Sequence, residues 1–344
     1  MAYILDSNDG RRTGRLRVYD LTTRRELHSM QTGYCPDFAI SPDGAWLFLA
    51  QTDLEQTPCV HEVRCLEAAS LRECYRVALL DRALYNIAPS LGGVAVTPDG
   101  RHCLVLKTRA LADDLAEFSI AILDTQRQCW LEHELALPHM VMGNGPLGSG
   151  PDFHFALSSS GGEPVGIGDP VRAEKLRDVL PSPFPEAMRR PGLLRAAGAH
   201  PRGGRVHYVS HEGMLVTWDV ATGALSVPAP LLLPPGMSVR SQHILVDGSQ
   251  MYLGVAGPEW DGRGHAEMVC GFSQDSWERK LALELEAPCS KLALDRNGQL
   301  LFGLSFATRS LLAVDLRAQA TLFEITDVGR TPALFAVLGG PAGG

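Results

Sequence analysis

Several residue groups in this 344-residue chain have the types and spacing that chemistry needs. Five of its eleven histidines, His139, His154, His200, His207 and His211, come from one stretch of the chain. Imidazole exchanges protons near neutral pH and is the commonest nitrogen ligand, so this stretch invites either acid/base chemistry or a metal. His139 and His211 fall where loops are expected, which makes them the candidates for proton transfer. Glu259 stands beside Trp260, a carboxylate next to an aromatic plate, and that pairing suits a cationic amine. Tyr34 immediately precedes an apolar stretch and is placed to project from its end. Candidate catalytic residues are therefore His139, His211 and Glu259, and candidate channel or binding residues are Tyr34, Glu259 and Trp260.

Other patterns carry less. Cys59-x-His61-x3-Cys65 offers three soft ligands on one face of a strand. In-line neighbours on a strand lie about 7 Å apart and point in parallel, so they do not converge on one ion, and packing between sheets is the better reading. Gly143-Asn144-Gly145-Pro146-Leu147-Gly148 spells G-x-G-x-x-G, but a proline sits inside it and strand-like Phe153-His154-Phe155 follows where a phosphate-binding helix would have to begin. The Gly-x-Ser-x-Gly, Walker A, His-Glu-x-x-His and Cys-x-x-Cys signatures are absent. No metal site and no cofactor held by this chain are expected.

The elements that must position these residues repeat. Phe38-Ala39-Ile40-Ser41-Pro42-Asp43-Gly44 followed by Ala45 to Leu49 matches Val94-Ala95-Val96-Thr97-Pro98-Asp99-Gly100 followed by Arg101 to Val105, position for position in character. Ser/Thr-Pro-Asp-Gly is a turn with a mechanism: proline presets φ at its second position and glycine supplies the positive φ that follows. Weaker copies lie at Pro201 to Gly204, Asp247-Gly248 and Asn297-Gly298. A second hairpin recurs as a short strand, an Asp and a polar turn, at Asp20, Asp124, Asp219 and Asp315.

Laid end to end, these units give blades over residues 35–81, 91–137, 138–190, 193–235, 236–287 and 288–330, near the roughly 40 to 50 residues of a four-stranded propeller blade. Residues 2–31 have room for three strands, and 332–338 make one orphan strand. Joined, they form a shared first blade, which predicts a single all-β domain: a seven-bladed β-propeller closed by pairing of its N- and C-terminal strands. Closure removes the sheet edge that an open array would expose. A short helix is expected over 169–180, with Asp169 as N-cap and Pro170 in the first turn.

In such a ring the turns joining strands 1–2 and 3–4 lie on one face, and the 2–3 loops and blade connections on the other. The first set is short and stereotyped, whereas the second includes 6–14, 51–58, 107–118, 138–150 and 256–267. Long irregular loops on a rigid scaffold are where binding residues gather, so function is expected on that face, near the central channel.

A net charge of -8 without any run of five like charges makes nucleic acid and anionic membranes poor partners. No export signal or membrane-spanning stretch is visible, and eight unpaired-looking cysteines suit a reducing compartment, so a cytoplasmic location is expected.

Five stretches carry a family resemblance: Thr32-Gly33-Tyr34-Cys35-Pro36; Gly93 to Gly100; His200-Pro201 leading to Arg205-Val206-His207-Tyr208; Met251 to Val255 followed by Glu259-Trp260; and the closing Ser290 to Ser305. In order and spacing they resemble the large (heavy) subunit of methylamine and aromatic-amine dehydrogenases, a seven-bladed YVTN-type propeller family. The resemblance implies a small light subunit as partner, carrying the tryptophan-derived quinone that oxidises a primary amine. It implies that this chain supplies scaffold and part of the substrate channel, with Tyr34 walling the amine's route. Two further readings stand beside it. One is a free-standing cytoplasmic propeller enzyme of specialised metabolism that works on a small metabolite without a redox cofactor, through loop-face acid/base residues. The other is a protein-interaction platform.

Overall fold

The computed structural model describes residues 1–6, 13–53, 60–79, 85–86, 94–97, 99–110, 116–132, 135–137, 141–142, 155–159, 164–168, 194–199, 205–219, 222, 224–240, 244–258, 265–295 and 297–338. Among them the strands form seven antiparallel sheets, and the chain is a seven-bladed β-propeller. Blade 1 joins the two ends of the sequence: Ala2–Asp6, Arg15–Asp20 and Arg25–Gln31 are completed by Pro332–Val337, which pairs with Ala2–Asp6. Blade 2 is Tyr34–Ile40, Trp46–Asp53, Val60–Glu67 and Glu73–Leu79. In blade 3 two short pieces, Tyr85–Asn86 and Val94–Val96, share the strand His102–Ala110, followed by Ala116–Asp124 and the outer pieces Cys129–Trp130 and Leu135–Leu137. The described strands of blade 4 are Val141–Met142, Phe155–Ser159 and Pro164–Gly168. Blade 5 runs Leu194–Ala199, Arg205–Ser210, Met214–Asp219 and Ala229–Pro230. Blade 6 contains Ser238–Val239, Leu245–Val246, Gln250–Ala256, Ala266–Ser273 and Arg279–Cys289. Blade 7 is Lys291–Leu294, Leu300–Ser305, Ser310–Asp315 and Ala320–Ile325. The helix expected over 169–180 and the Gly143–Gly148 run lie outside the described residues. No helix among the described residues is long and apolar enough to cross a membrane.

The core sits between blades, which explains why the strands read as continuous apolar runs instead of alternating ones. Ala2–Asp6 is buried throughout. Tyr3 and Leu5 pack with Leu16, Leu47 and Leu49 toward blade 2, while Ala2 and Ile4 pack with Phe302, Leu304 and Leu311 toward blade 7. Trp46–Asp53 divides in the same way, Leu47 and Leu49 facing blade 1 and Phe48 and Ala50 facing blade 3. Each fully buried aliphatic or aromatic side chain contributes about 1.5–3 kcal/mol. The first strands of successive blades touch, Lys291–Leu294 meeting Pro332–Val337, which meets Tyr34–Ile40, which meets Val94–Val96. Those strands surround the central axis.

Turn chemistry follows the repeat. In both Pro-Asp-Gly turns the Ser or Thr hydroxyl donates to the Asp carboxylate (Ser41 to Asp43, Thr97 to Asp99), and the Asp accepts the amide two residues on (Ala45, Arg101). Gly44 and Gly100 take φ of 76° and 71°, which only glycine adopts without strain. The strand 3–4 turns share another geometry. Arg24, Leu71, Gln128, Trp277 and Gln319 all sit at φ between 53° and 59°. In four of these the amide of that residue donates to the carbonyl four positions back, at Asp20, Glu67, Asp124 and Ser273. Where an aspartate opens the turn it also caps it: Asp124 accepts from Gln126 and Arg127, and Asp315 from Arg317 and Ala318. The recurring Asp of the sequence is thus an Asx cap that holds a non-glycine residue in the left-handed region.

Candidate functional site

The mouth of the channel on the long-loop face is where the innermost strands begin. Tyr34 is the first residue of blade 2's inner strand, not the residue before it, and is 40% exposed. Gly33 places it there. A Cβ on Gly33 would collide with the Thr52 carbonyl, and the Gly33 amide donates to Gln51 Oε1 at 2.7 Å. Gln51 in turn donates from Nε2 to Glu62 Oε1 at 2.9 Å, both side chains being buried. Glu62 Oε2 lies 3.6 Å from the Arg76 guanidinium, which also binds Glu73. A polar column therefore runs from the rim out to the edge of blade 2, and it fixes the backbone that presents Tyr34. On the sheet's other face Thr52 and His61 share a 2.8 Å hydrogen bond, and Cys65 packs in the core between blades 2 and 3. Cys59 lies outside the described residues.

Two residues that the sequence reading passed over belong to this mouth. Lys291 opens blade 7's inner strand, and Asp37 sits on blade 2's inner strand, 3% exposed. Burial pulls the Lys291 ammonium below lysine's ordinary range, and the charge of Asp37 opposes that pull. The two lie on either side of the closing strand of blade 1. Each carries a faint sequence signal, a lone charge in an otherwise apolar strand (Lys291 in KLAL, Asp37 before FAI). Asp6 completes the region. It is 2% exposed and accepts the amides of Arg330 (2.6 Å) and Thr331 (3.0 Å) and the Thr331 hydroxyl (2.7 Å), the residues that lead into the closing strand.

His211 lies in the 2–3 turn of blade 5, as expected, and meets Arg240 of blade 6. Arg240 NH1 donates to His211 Nε2 at 3.3 Å, so that nitrogen acts as acceptor, and Arg240 NH2 donates to the Gly257 carbonyl at 3.2 Å. The Gly257 amide donates to Glu267 Oε2. His211 is thereby tied to the base of the loop that contains Glu259 and Trp260. His139, Glu259 and Trp260 themselves lie outside the described residues, as do His154 and His200. Of the candidate residues the structure places Tyr34 and His211, both on the long-loop face. Among the described residues no three His, Cys, Asp or Glu side chains gather closely enough to hold a metal ion. Cys65, Cys74, Cys103, Cys129, Cys270 and Cys289 carry free thiols.

Two cavities lined by described residues open on the other face, in the grooves between blades. One of about 450 Å³ lies between blades 2 and 3 and is lined by Trp46, Phe48, Cys65, Tyr75, Asp43 and Asp99 among others. Burial pushes the Cys65 thiol up to about 11, so it is no nucleophile at neutral pH. A second, of about 420 Å³, occupies the equivalent place between blades 5 and 6, where Arg205, His207, Thr217, Asp219 and Trp277 line it. His207 is buried, hydrogen-bonded through Nδ1 to Thr217 Oγ1 at 2.9 Å, with its ring edge-on to Trp277 at 5.5 Å. Loop length, visible in sequence, points to the opposite face, whereas grooves between short turns leave no such signal.

No known protein-family profile matches the sequence, and no curated protein matches it. Solved structures do match in fold. A functionally unknown protein from Desulfotomaculum acetoxidans DSM 771 is 12% identical, with 98% of each chain covered and a TM-score of 0.65. Kuenenia stuttgartiensis hydrazine synthase is 18% identical over 82% of this chain and 77% of that one, with a TM-score of 0.54. The β-propeller domain of Myceliophteria thermophila Cps50 (Swd1) is 10% identical over 84% and 86%, with a TM-score of 0.58. At these identities the likeness is one of fold alone.

Proposed function

We propose that this chain is a scaffold propeller whose long-loop face docks a smaller protein and whose channel mouth walls the route of a small molecule, in the manner of the large subunit of an amine dehydrogenase. Tyr34 carries the reading. An aromatic side chain that stays 40% exposed while its own backbone is held by a Gly33–Gln51–Glu62 hydrogen-bond chain, buried at its Gln51–Glu62 link, is fixed for contact with something outside the chain. On this reading the tryptophan-derived quinone belongs to the partner, and Tyr34 acts sterically. The test is purification of the untagged protein from its native cell, with intact masses and visible absorption recorded. Co-elution of a smaller chain with quinone-like absorption supports the proposal; a colourless chain eluting alone sinks it.

Lys291 favours a second reading, a free-standing enzyme. An amine whose pKa is lowered by burial, against the opposing charge of Asp37, is suited to proton transfer at the channel mouth; His211 lies on the same long-loop face, where Glu259 and His139 belong by sequence. Replacing Lys291 with methionine should then abolish turnover of whatever metabolite the lone chain converts, while Tyr34→Phe spares it.

A further inference from the structure

We propose that the groove between blades 2 and 3, on the face away from Tyr34, binds a small organic cation with an aromatic or alkyl body. Its volume of about 450 Å³ falls in the range of small-molecule sites. The floor is apolar: Phe48 and Cys65 are buried, and Tyr75 is fixed by donating its hydroxyl to the Thr125 carbonyl at 3.1 Å. At the mouth stands Trp46, 41% exposed, an indole face available to a cation.

Asp43 and Asp99 occupy the same position in the turns of adjacent blades, and both line the groove. Among the described lining residues there is no Lys, Arg or His, although Arg101 comes within 4.0 Å of Asp99 from outside. Asp43 takes its two turn hydrogen bonds, from the Ser41 hydroxyl and the Ala45 amide, on Oδ1. Those bonds hold it below the usual carboxylate range. For Asp99 burial works upward, but the Thr97 hydroxyl and Arg101 amide outweigh it, and it too is ionised at neutral pH. Two fixed negative charges beside an exposed indole and an apolar floor select a positive head on an apolar body. The equivalent groove between blades 5 and 6 also holds an aspartate and a tryptophan, Asp219 and Trp277, but Arg205 in its lining offsets the single carboxylate, so it lacks the net negative charge of the first groove.

The test is calorimetric titration of the full chain with phenethylammonium chloride, with 2-phenylethanol as the neutral comparator of similar shape. The expected result is saturable one-to-one binding of the ammonium, about tenfold or more tighter than the alcohol. Asp43→Asn and Asp99→Asn should each weaken it about tenfold, since asparagine keeps the Oδ1 acceptor of the turn but removes the charge. Trp46→Ala, a change at an exposed position, should weaken it as well and guards against loss of fold in the turn variants. Equal affinity for the alcohol, unchanged affinity in both Asn variants, or no saturation by about 10 mM would overturn the proposal.

Discussion

The two faces of this propeller use their carboxylates differently. On the short-turn face Asp43, Asp99, Asp124 and Asp315 bond within their own turns, two or three residues away. On the long-loop side Asp6 holds residues 330 and 331, the charge of Asp37 favours the charged form of Lys291 across the closing strand, and Glu62 reaches Gln51 and Arg76. Local capping makes each blade fold as a unit, whereas long-range bonding makes the ring one body and fixes its channel mouth. Removing a long-range carboxylate should therefore loosen the whole ring, and removing a turn carboxylate should loosen one hairpin.

The largest effect is expected for Asp6→Ala. It leaves two amides and a hydroxyl without their buried acceptor at the seam, and should cost about 3 kcal/mol in chemical denaturation. A loss below that of a turn aspartate would break the contrast. Next comes the pair across the closing strand. A double-mutant cycle on Asp37→Asn and Lys291→Met should show a coupling of about 1 kcal/mol, because the Asp37 carboxylate favours the charged form of Lys291. Additive effects would mean that the two do not act as a pair. Asp43→Ala should cost only about 0.5–1 kcal/mol, with the loss confined to exchange of amides in its own hairpin.

Acid should distinguish the faces further. The folded-state pKa values of Asp43 and Asp99 are depressed, so the stability they give is fully present above the ordinary carboxylate range near about pH 4. It is lost as the pH falls through their lower folded values. Asp43→Asn with Asp99→Asn should flatten that part of the acid unfolding curve by lowering neutral stability toward its acid value, while stability below the folded pKa values changes little. The smallest effect belongs to Tyr34→Ala. An exposed rim residue should change stability by no more than about 0.5 kcal/mol while weakening any partner held on that face.

This contrast also marks what sequence could reveal. The Ser/Thr-Pro-Asp-Gly and strand-Asp-turn signals were legible because their bonds close within a few residues, and from them the blades and the shared first blade followed. Tyr34 and His211 were legible as loop-face residues through strand order alone. Asp37, Lys291 and Arg240 were not, because their meaning depends on neighbours in other blades. Nor were the grooves, whose walls come from two blades at once: Trp46 and Asp99 are far apart in sequence, and nothing in either hairpin announces the other.

The most direct test of the loop face as the docking surface is photo-crosslinking in the native cell, with p-benzoylphenylalanine replacing Tyr34 and, separately, Thr23 in a short turn of the other face. The expected result is an adduct from position 34 whose second component is a smaller chain with quinone-like absorption, and none from position 23. An adduct from position 23 alone, or none from position 34, would contradict the proposed scaffold role.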